Sequence, residues 1–390
     1  MRTAQDQLHD LLLHWAIEME RFKAGEVRAI LEILQQAEEE LERRVLQVAD
    51  RLSRSRRAIH SQALQEALDR IRDIREEVWR RVDARVYEGQ QAVIPLATSV
   101  AYQALQATIP LVMDFGFPTM AAVLAATRAS PLDGRLLSEW VEGMQTSEAQ
   151  ALWRTIRRGF VLGDSTPVIT AAVMREARKS WRWAEAVTRT ALHEAAMRGQ
   201  EAIWAANRDI IVGIEMVATL DGRTTLFCIN IDGQVFPVDK GPRPPFHIRC
   251  RTVPIPRLDG VELTVGRPFV RDTRTPAGRE LDFRAQAQEQ AGLRWGRMRS
   301  GQRAAAVQQV KQEWIRENIG HEITRKPYPE WFAQQPEWFQ MDKLGPTRGA
   351  LYRKGGLTLK QFQDSSGREY TIEELRQSVP EAFRAAGLSG

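Results

Sequence analysis

The side chains with the clearest chemical potential lie close together in the second half of the sequence. Cys228 and Cys250 are the two cysteines of the chain, and His247 is one of its six histidines. Thiolate sulfur and imidazole nitrogen are donors that Zn²⁺ prefers, provided that they converge as a tetrahedron. Asp221 and Asp232 flank Cys228 and are the candidates for a fourth ligand. A zinc site is therefore one interpretation of this stretch.

Two other interpretations of the same residues remain open. Strong zinc signatures carry four nitrogen or sulfur donors, commonly as two closely spaced pairs, whereas the first arm here holds a single cysteine. A Cys228–Cys250 disulfide is the second possibility. The third is a metal-free packed corner in which Asp221 and Asp232 accept backbone N–H groups and hold turns. We adopt the third, so we predict no cofactor, with zinc as the alternative.

The metal-free interpretation gives each neighbouring residue a local role. Gly233 would supply the positive φ of a turn. Arg249 or Arg251 would fork onto a carboxylate such as Asp221. His247 would donate to a loop carbonyl and so fill a polar corner.

An Asp–His–Cys set also invites a catalytic interpretation, as a nuclease or a thiol hydrolase. The sequence lacks His-Glu-x-x-His, a phosphate-binding glycine loop, Gly-x-Ser-x-Gly and a paired-carboxylate motif. We therefore predict that the protein is not an enzyme.

A basic cluster overlaps the same stretch, and no acidic residue interrupts it. Its members are Lys240, Arg243, Arg249, Arg251 and Arg257. In the absence of a groove-reading motif, such a cluster would contact the phosphate backbone of DNA without sequence preference and in a salt-sensitive way. The alternative is a solvated or structurally paired set of arginines.

Composition sets broad limits on the protein class. The 390 residues are 43% hydrophobic and carry a net charge of +5, which fits two or three globular domains with a mild basic excess. Two cysteines are too few for a disulfide scaffold, so a reducing cytosol is the default place of folding. The first residues lack the pattern of a secretory signal.

The first third of the chain predicts long amphipathic helices. Apolar residues recur at three and four residues from about Leu8 to Tyr87, with a basic break at 53–57, which predicts an antiparallel helical hairpin. Residues 89–127 contain one charge, Asp114. We interpret them as buried helices rather than a membrane span, because Pro, Ala, Thr and Gln dilute their hydrophobicity.

The middle of the chain predicts helices followed by a small hairpin. Ser147-x-x-Gln150 resembles a capping box opening a helix to about Gly159, and Ser165-Thr166-Pro167 resembles another helix start. A helix over 181–208 leads to a strand over 210–220. The Asp232-Gly233 turn would return the chain over 234–236 as a hairpin, and the proline-rich 241–245 would be an extended loop.

The last third predicts an arm and a mixed region. Residues 257–278 read as a linker with a short strand near 261–265, followed by helices over 281–293 and 300–318. We predict that Trp331 and Trp338 are exposed and that residues 357–359 form a strand. Thr371-x-x-Glu374 predicts a capping box opening the final helix.

These elements predict a mostly α fold with a small β hairpin (α+β). The predicted domains are 1–134, a helical region; 135–256, the core with the hairpin; 257–280, a linker or arm; and 281–390, a helical and mixed region.

The order of the central motif resembles a known family. Asp221-x-Arg223-Thr224, then Asp232-Gly233, then Pro245-x-His247-x-x-Cys250-Arg251 is similar to the signature of the phage Mu F-like minor head proteins, also called head morphogenesis proteins. Arg189-Thr190 matches an Arg-Thr-Glu step of that family, with Ala191 in place of the acid and Glu194 as its substitute. A softer similarity covers 328–375.

The resemblance implies a structural protein of a tailed phage, located in the virion at the portal vertex inside the head. It implies the portal protein as partner, with other capsid or internal virion proteins as further contacts, copies arranged around the portal, and support for capsid assembly and DNA packaging or ejection. The alternatives are a metal-dependent nuclease or DNA-processing factor, and a host-entry protein ejected with the DNA.

Overall fold

The computed structural model describes residues 3–53, 62–108, 119–131, 135–162, 164–258, 267–269, 276–318, 322–324, 326–364 and 366–388. The chain divides into two compact units. The helical unit comprises Gln7–Ile214 and Phe236–Asp259, and the mixed unit comprises Met1–Asp6, Glu215–Val235 and Gly260–Gly390. The predicted domain boundaries at 134, 256 and 280 stay predictions.

Long helices make up most of the helical unit. They are α1 (Ala4–Ser53), α2 (Gln62–Thr108), α3 (Met120–Ala129), α4 (Leu137–Leu162) and α5 (Thr166–Ala206). Leu41 and Val45 share a buried cluster with Ile71, whereas Leu34 of α1 clusters with Trp79 of α2. Later residues of α1 therefore meet earlier residues of α2. This confirms the predicted antiparallel hairpin.

Helix α2 extends into the nearly uncharged segment as far as Thr108. Val93, Ile94 and Ala97 are at most 2% exposed, which confirms that this part is buried. Pro95 lies inside the helix on its exposed face, where water can replace the hydrogen bond that proline cannot donate. No helix in the described part of the chain is long and apolar enough to span a membrane. In the later part of the segment, α3 buries only Val123 and Thr127, so the prediction of burial is wrong for most of that helix. Residues 109–118 lie outside the described residues.

The helix starts predicted at Ser147 and near residue 181 are wrong, whereas the start predicted at Ser165 is correct. Ser147 lies inside α4, because the buried positions Val141, Leu152 and Ile156 continue one helical face across it. Helix α5 begins at Thr166 rather than near 181, with Ser165 as its N-cap and a proline in its first turn, as the second start signal predicted.

A three-stranded sheet follows α5. It comprises β1 (Ile211–Val217), β2 (Val235–Phe236) and β3 (Val253–Leu258) in the order β2-β1-β3. The prediction of a two-stranded hairpin is incomplete in two respects. The short helix α6 (Leu226–Ile231) lies between β1 and β2 along the chain, and the additional strand β3 pairs with the other side of β1. The fold is mostly α with a small β sheet, as predicted.

Strand β3 was missed because it contains Pro254 and Pro256. Prolines are tolerated on edge strands, and the strand order places β3 at an edge. Two prolines two residues apart direct their nitrogens to the same side of the strand, so the other side remains able to pair with β1.

The mixed unit contains the C-terminal elements. Strand β4 (Arg267–Phe269) pairs antiparallel with β5 (Glu322–Thr324). The helices are α7 (Pro276–Ala291), α8 (Ser300–Asn318), α9 (Tyr328–Ala333), α10 (Glu337–Arg353), α11 (Ile372–Ser378) and α12 (Pro380–Ala385). The predicted helix over 300–318 is confirmed, and α7 covers most of the one over 281–293. The strand near 261–265 lies outside the described residues.

Three predictions in the mixed unit need correction or refinement. Trp331 is buried at 2% exposure rather than exposed, because it packs with Tyr328 and Phe339. The run 357–359 leads into a 3₁₀ turn capped by Thr358 rather than forming a strand. The Thr371–Glu374 capping box is confirmed, but it opens α11, and α12 follows.

Candidate functional site

The Asp-x-Arg-Thr motif forms a tight turn after β1. Asp221 Oδ1 accepts hydrogen bonds from the backbone N–H groups of Arg223 at 2.9 Å and Thr224 at 3.1 Å. Thr224 Oγ1 donates to the carbonyl of Thr219 at 2.5 Å. Arg223 itself is exposed and lies 3.4 Å from Asp221. The predicted turn-holding role of Asp221 is confirmed.

Asp232 joins the end of β1 to the start of α9. Its Oδ1 accepts from Ala218 N at 2.7 Å and its Oδ2 from Tyr328 N at 2.6 Å, with the side chain buried. Gly233 has a φ of 77°, as predicted, and its N–H donates to Met216 O at 2.7 Å. Both carboxylate oxygens of Asp232 thus serve main-chain groups within the mixed unit.

Cys228 lies in the first turn of α6. Thr225 is the N-cap of this helix, and its hydroxyl accepts from the Cys228 N–H at 3.4 Å. The preceding Asp221 turn fixes where α6 begins. The position of Cys228 therefore depends on both Asp221 and Thr225. The Cys228 side chain is buried.

The Pro245-x-His247-x-x-Cys250-Arg251 loop docks on α5. The N–H of Cys250 donates to His247 O at 3.1 Å, which closes the loop into a turn. Arg249 has a φ of 64°, a left-handed conformation that non-glycine residues rarely adopt. Its N–H donates to Thr190 Oγ1 at 2.8 Å. The Arg189-Thr190 step therefore holds the strained point of the loop.

Cys228, His247 and Cys250 converge. Each offers one donor atom, and these atoms lie within 4.8 Å of one another. Both cysteines are buried, and neither is in a disulfide. Neither Asp221 nor Asp232, the predicted fourth ligands, belongs to this Cys–His–Cys group.

The proton on His247 can be assigned from its partner. His247 Nδ1 lies 2.9 Å from the carbonyl oxygen of Ile248, which can only accept, so Nδ1 carries the hydrogen. This confirms the predicted bond to a loop carbonyl. In the neutral ring, Nε2 then holds the lone pair.

Buried ionisable groups of α1 and α5 interact with residues in and after the His247–Cys250 loop. Lys23 is buried and forms an ion pair with Glu20; burial lowers the pKa of Lys23, and the charge of Glu20 opposes that shift. His193 Nε2 donates to Thr252 O at 3.0 Å. Burial, reinforced by Lys23, lowers the pKa of His193 to about 4, so this ring is neutral at pH 7. A Cys250 thiolate would raise the pKa of both Lys23 and His193.

Glu194 is a buried acid one turn after Thr190. Burial raises the pKa of Glu194 to about 7, although Arg198 lies 3.7 Å away and opposes the shift. Glu201, whose pKa is also raised by burial, adds repulsion.

The basic cluster separates into structural and exposed members. Arg243 has a side chain only 13% exposed, 3.2 Å from Glu201, and it donates to the carbonyls of Pro237 and Val238. It is therefore a structural residue and not the predicted phosphate contact. Lys240 and Arg249 are exposed. Arg251 and Arg257 are half-buried.

Arg249 pairs with a carboxylate other than Asp221. The Arg249 guanidinium lies 3.7 Å from Glu185 and donates to Arg182 O at 3.2 Å, so it reaches along α5 instead. The exposed guanidinium paired with Asp221 belongs to Arg223, two residues away on the same turn.

Sequence reasoning missed a buried polar network in the helical unit. Arg75 donates to both oxygens of Glu148, at 2.9 and 2.6 Å. Trp79 Nε1 and Ser180 Oγ donate to the same carboxylate, at 2.7 and 2.9 Å. Arg75 and Trp79 are four residues apart on α2, which places them on one face, but nothing local identifies their partner on α4.

Two surface cavities of the helical unit lie away from the motif. One of about 430 Å³ is lined by residues of α2 and α4, among them Arg72, Arg75 and Trp153. Another of about 410 Å³ contains the stacked pair Trp140 and Trp183, whose ring centroids are 6.3 Å apart. Neither cavity is lined by a motif residue.

Comparisons with protein-family models, with curated protein sequences and with solved structures gave no match to this chain.

Proposed function

We propose that this protein is a minor head protein of a tailed phage, acting at the portal vertex inside the head. The observation that carries the proposal is the ordered motif from Asp221 to Arg251, together with the Arg189-Thr190 step that hydrogen-bonds to it. In this proposal the protein is a structural component and not an enzyme.

The contacts of the motif support a structural role. Asp221 and Asp232 direct their oxygens to main-chain N–H groups, Thr190 accepts from the backbone of Arg249, and His247 donates to a carbonyl. Groups engaged in this way hold chain segments in place. A general acid or base instead needs to reach a substrate proton.

The exposed basic side chains indicate where the protein would contact DNA. Lys240 and Arg249 are the exposed members of the basic cluster, and they carry no base-reading geometry. We propose that they contact phosphates weakly as DNA passes the portal. Replacing both with Glu should reduce binding to duplex DNA and flatten its salt dependence, because fewer counterions are released.

The direct test is quantitative mass spectrometry of purified particles, with this chain measured against the portal protein before and after DNA ejection. A ratio of no more than one copy per portal subunit supports the proposal. Loss of the chain on ejection would identify a protein delivered with the DNA. Absence from mature particles would contradict a virion role and favour an assembly or DNA-processing factor.

A nuclease assay separates the structural role from the enzymatic alternative. The purified chain should leave linear and circular duplex DNA intact with Mg²⁺, Mn²⁺ or Zn²⁺ present. Cleavage that disappears in the His247→Ala variant, with folding retained by circular dichroism, would contradict the proposal.

A further inference from the structure

We propose that the cavity between α4 and α5 binds one unpaired base of a single-stranded nucleic acid, with basic side chains of α5 on the phosphates of the strand. Every residue of this site belongs to the helical unit. The site is separate from the weak duplex contact of Lys240 and Arg249, and it does not depend on where the protein acts.

The cavity has the size and the walls of a site for a flat ligand. Its volume of about 410 Å³ lies within the range of about 300–1,000 Å³ that is usual for small-molecule sites. The rings of Trp140 and Trp183 in its wall are inclined by only 23°, so their faces have nearly the same orientation. Ser147 adds a hydroxyl group that can donate to or accept from the edge of a base.

Trp183 is the ring that a base can reach. It is 51% exposed although it lines the cavity. Trp140 is half-buried, and the guanidinium of Arg135 lies over it, 5.2 Å from the ring centroid. Bases stack on aromatic rings and on guanidinium planes without regard to sequence, because every base has a π face. Trp183 is therefore the stacking platform, with Arg135 beside it.

The basic residues of α5 suit a chain of phosphates. Residues 175–183 contain four basic side chains and one acidic side chain. Arg175, Lys179 and Arg182 are exposed, and their spacings of four and three residues place them with Trp183 on one side of the helix. From 175 to 182 this stripe is about 10 Å long, at a rise of 1.5 Å per residue, which is longer than a single phosphate group. A strand fits it better than one nucleotide does.

The two acids that line the cavity do not reverse this charge. Glu148 is buried and its carboxylate lies 2.6 Å from the guanidinium of Arg75. Glu176 pairs with Lys179 at 2.6 Å. With these pairs balanced, Arg135 leaves the cavity positively charged.

The aromatic wall selects for a single strand. A base inside a duplex is stacked on its neighbours and has to leave the helix, at a cost in free energy, before it can enter a cavity. An unpaired base enters without that cost. Duplex DNA would meet only the charges on this surface, whereas a single strand would meet both the charges and Trp183.

The first experiment compares the full chain binding to labelled oligo(dT) and to a labelled duplex of the same length by fluorescence anisotropy. Trp183→Leu should weaken binding of oligo(dT) by about 5- to 100-fold, the usual effect of losing one stacked base. Binding to the duplex should stay within about twofold, because paired bases do not stack on the ring. Trp153→Leu is the matched control, since Trp153 is an exposed tryptophan of α4 at the other cavity. It should change neither affinity.

The salt dependence tests the phosphate contacts. Arg182→Ala should lower the slope of log affinity for oligo(dT) against log salt concentration by about 0.7, the value for one phosphate contact on a single strand. An unchanged slope would remove Arg182 from the site. Equal weakening of oligo(dT) and duplex by Trp183→Leu, or binding of a mononucleotide as tight as that of oligo(dT), would overturn the proposal.

A last experiment does not depend on variants. Oligonucleotides that carry 5-bromouracil are irradiated in complex with the unmodified chain, and the crosslinked peptides are identified by mass spectrometry. We expect the crosslink in the peptide that contains Trp183. Crosslinks found only elsewhere, or no binding of oligo(dT) by the folded chain, would overturn the proposal.

Discussion

Thr190 Oγ1 accepts a hydrogen bond from the backbone N–H of Arg249 at 2.8 Å, across 59 positions of the chain. The same hydroxyl donates to Ala186 O at 2.7 Å within α5. One side chain therefore anchors a loop residue in the left-handed region to a helix that is buried along much of its length. The orientation of both His247 and Cys250 depends on this anchor.

Removing the Thr190 hydroxyl should destabilise the protein. Thr190→Val keeps the shape and leaves the Arg249 N–H without its acceptor, which costs about 1–3 kcal/mol. Denaturant unfolding followed by circular dichroism measures the change. Thr190→Ser retains the hydroxyl and should lose less than half as much. Equal losses in the two variants would show that the methyl group, not the hydrogen bond, matters.

The Asp232 carboxylate should matter as an acceptor for two backbone donors. Asp232→Asn replaces one acceptor oxygen with an NH₂ group that faces either Ala218 N–H or Tyr328 N–H. Hydrogen bonds to charged groups contribute about 1.5–3 kcal/mol each, so we expect a loss of that order in the free energy of unfolding. Asp342→Asn, an exposed acid of α10, is the control and should change stability by less than about 0.5 kcal/mol.

Glu148 should be the most sensitive acid of the helical unit. Glu148→Gln keeps the shape but leaves the buried Arg75 charge uncompensated, and breaking a buried ion pair typically costs about 3–5 kcal/mol. Thermal unfolding should show a large drop in Tm. Glu142→Gln, at an exposed position of the same helix, should leave Tm unchanged within a degree or so. A small effect at Glu148 would mean that water accepts hydrogen bonds from the donors that face it.

Glu194 should make stability depend on pH. Its pKa is raised to about 7 in the folded state from 4.5, so the folded state retains a proton that the unfolded state loses in this window. Stability from this group is therefore present at low pH and declines as pH rises from about 4.5 to 7. Glu194→Gln removes the dependence, and its advantage over the unmodified protein should grow to roughly 2–3 kcal/mol at pH 8.

Urea unfolding tests the Glu194 effect. The difference in free energy of unfolding between Glu194→Gln and the unmodified protein is measured at pH 5 and at pH 8, and the two differences are compared. Glu32→Gln, an exposed acid of α1, provides the control, because its contribution should be the same at both pH values. If the stability difference between Glu194→Gln and the unmodified protein does not change with pH, the carboxyl is ionised in the folded protein throughout.

Local signals predicted much of this structure. The apolar repeat over 8–87 predicted the α1–α2 hairpin, and Ser165-Thr166-Pro167 predicted the start of α5, because capping and periodicity are encoded within a few residues.

Contacts between distant residues could not be predicted in the same way. Pro254 and Pro256 argued against β3, and only the position of that strand at the sheet edge makes them acceptable. Trp331 resembled a surface residue until the aromatic cluster around it was known. Glu148 has no local signature, because its four donors come from α2 and α5.

The segment Glu215–Val235 belongs to the mixed unit, although the residues before and after it in sequence belong to the helical unit. This assignment has a consequence for truncation of the chain. Leu220, Leu226 and Ile229 belong to the same buried cluster as Tyr328, Trp331 and Phe332. Removing the residues after 258 would therefore expose these three apolar side chains and leave Asp232 without the Tyr328 N–H. A shortened product made by proteolysis or by a premature stop codon near residue 258 should therefore be prone to aggregation.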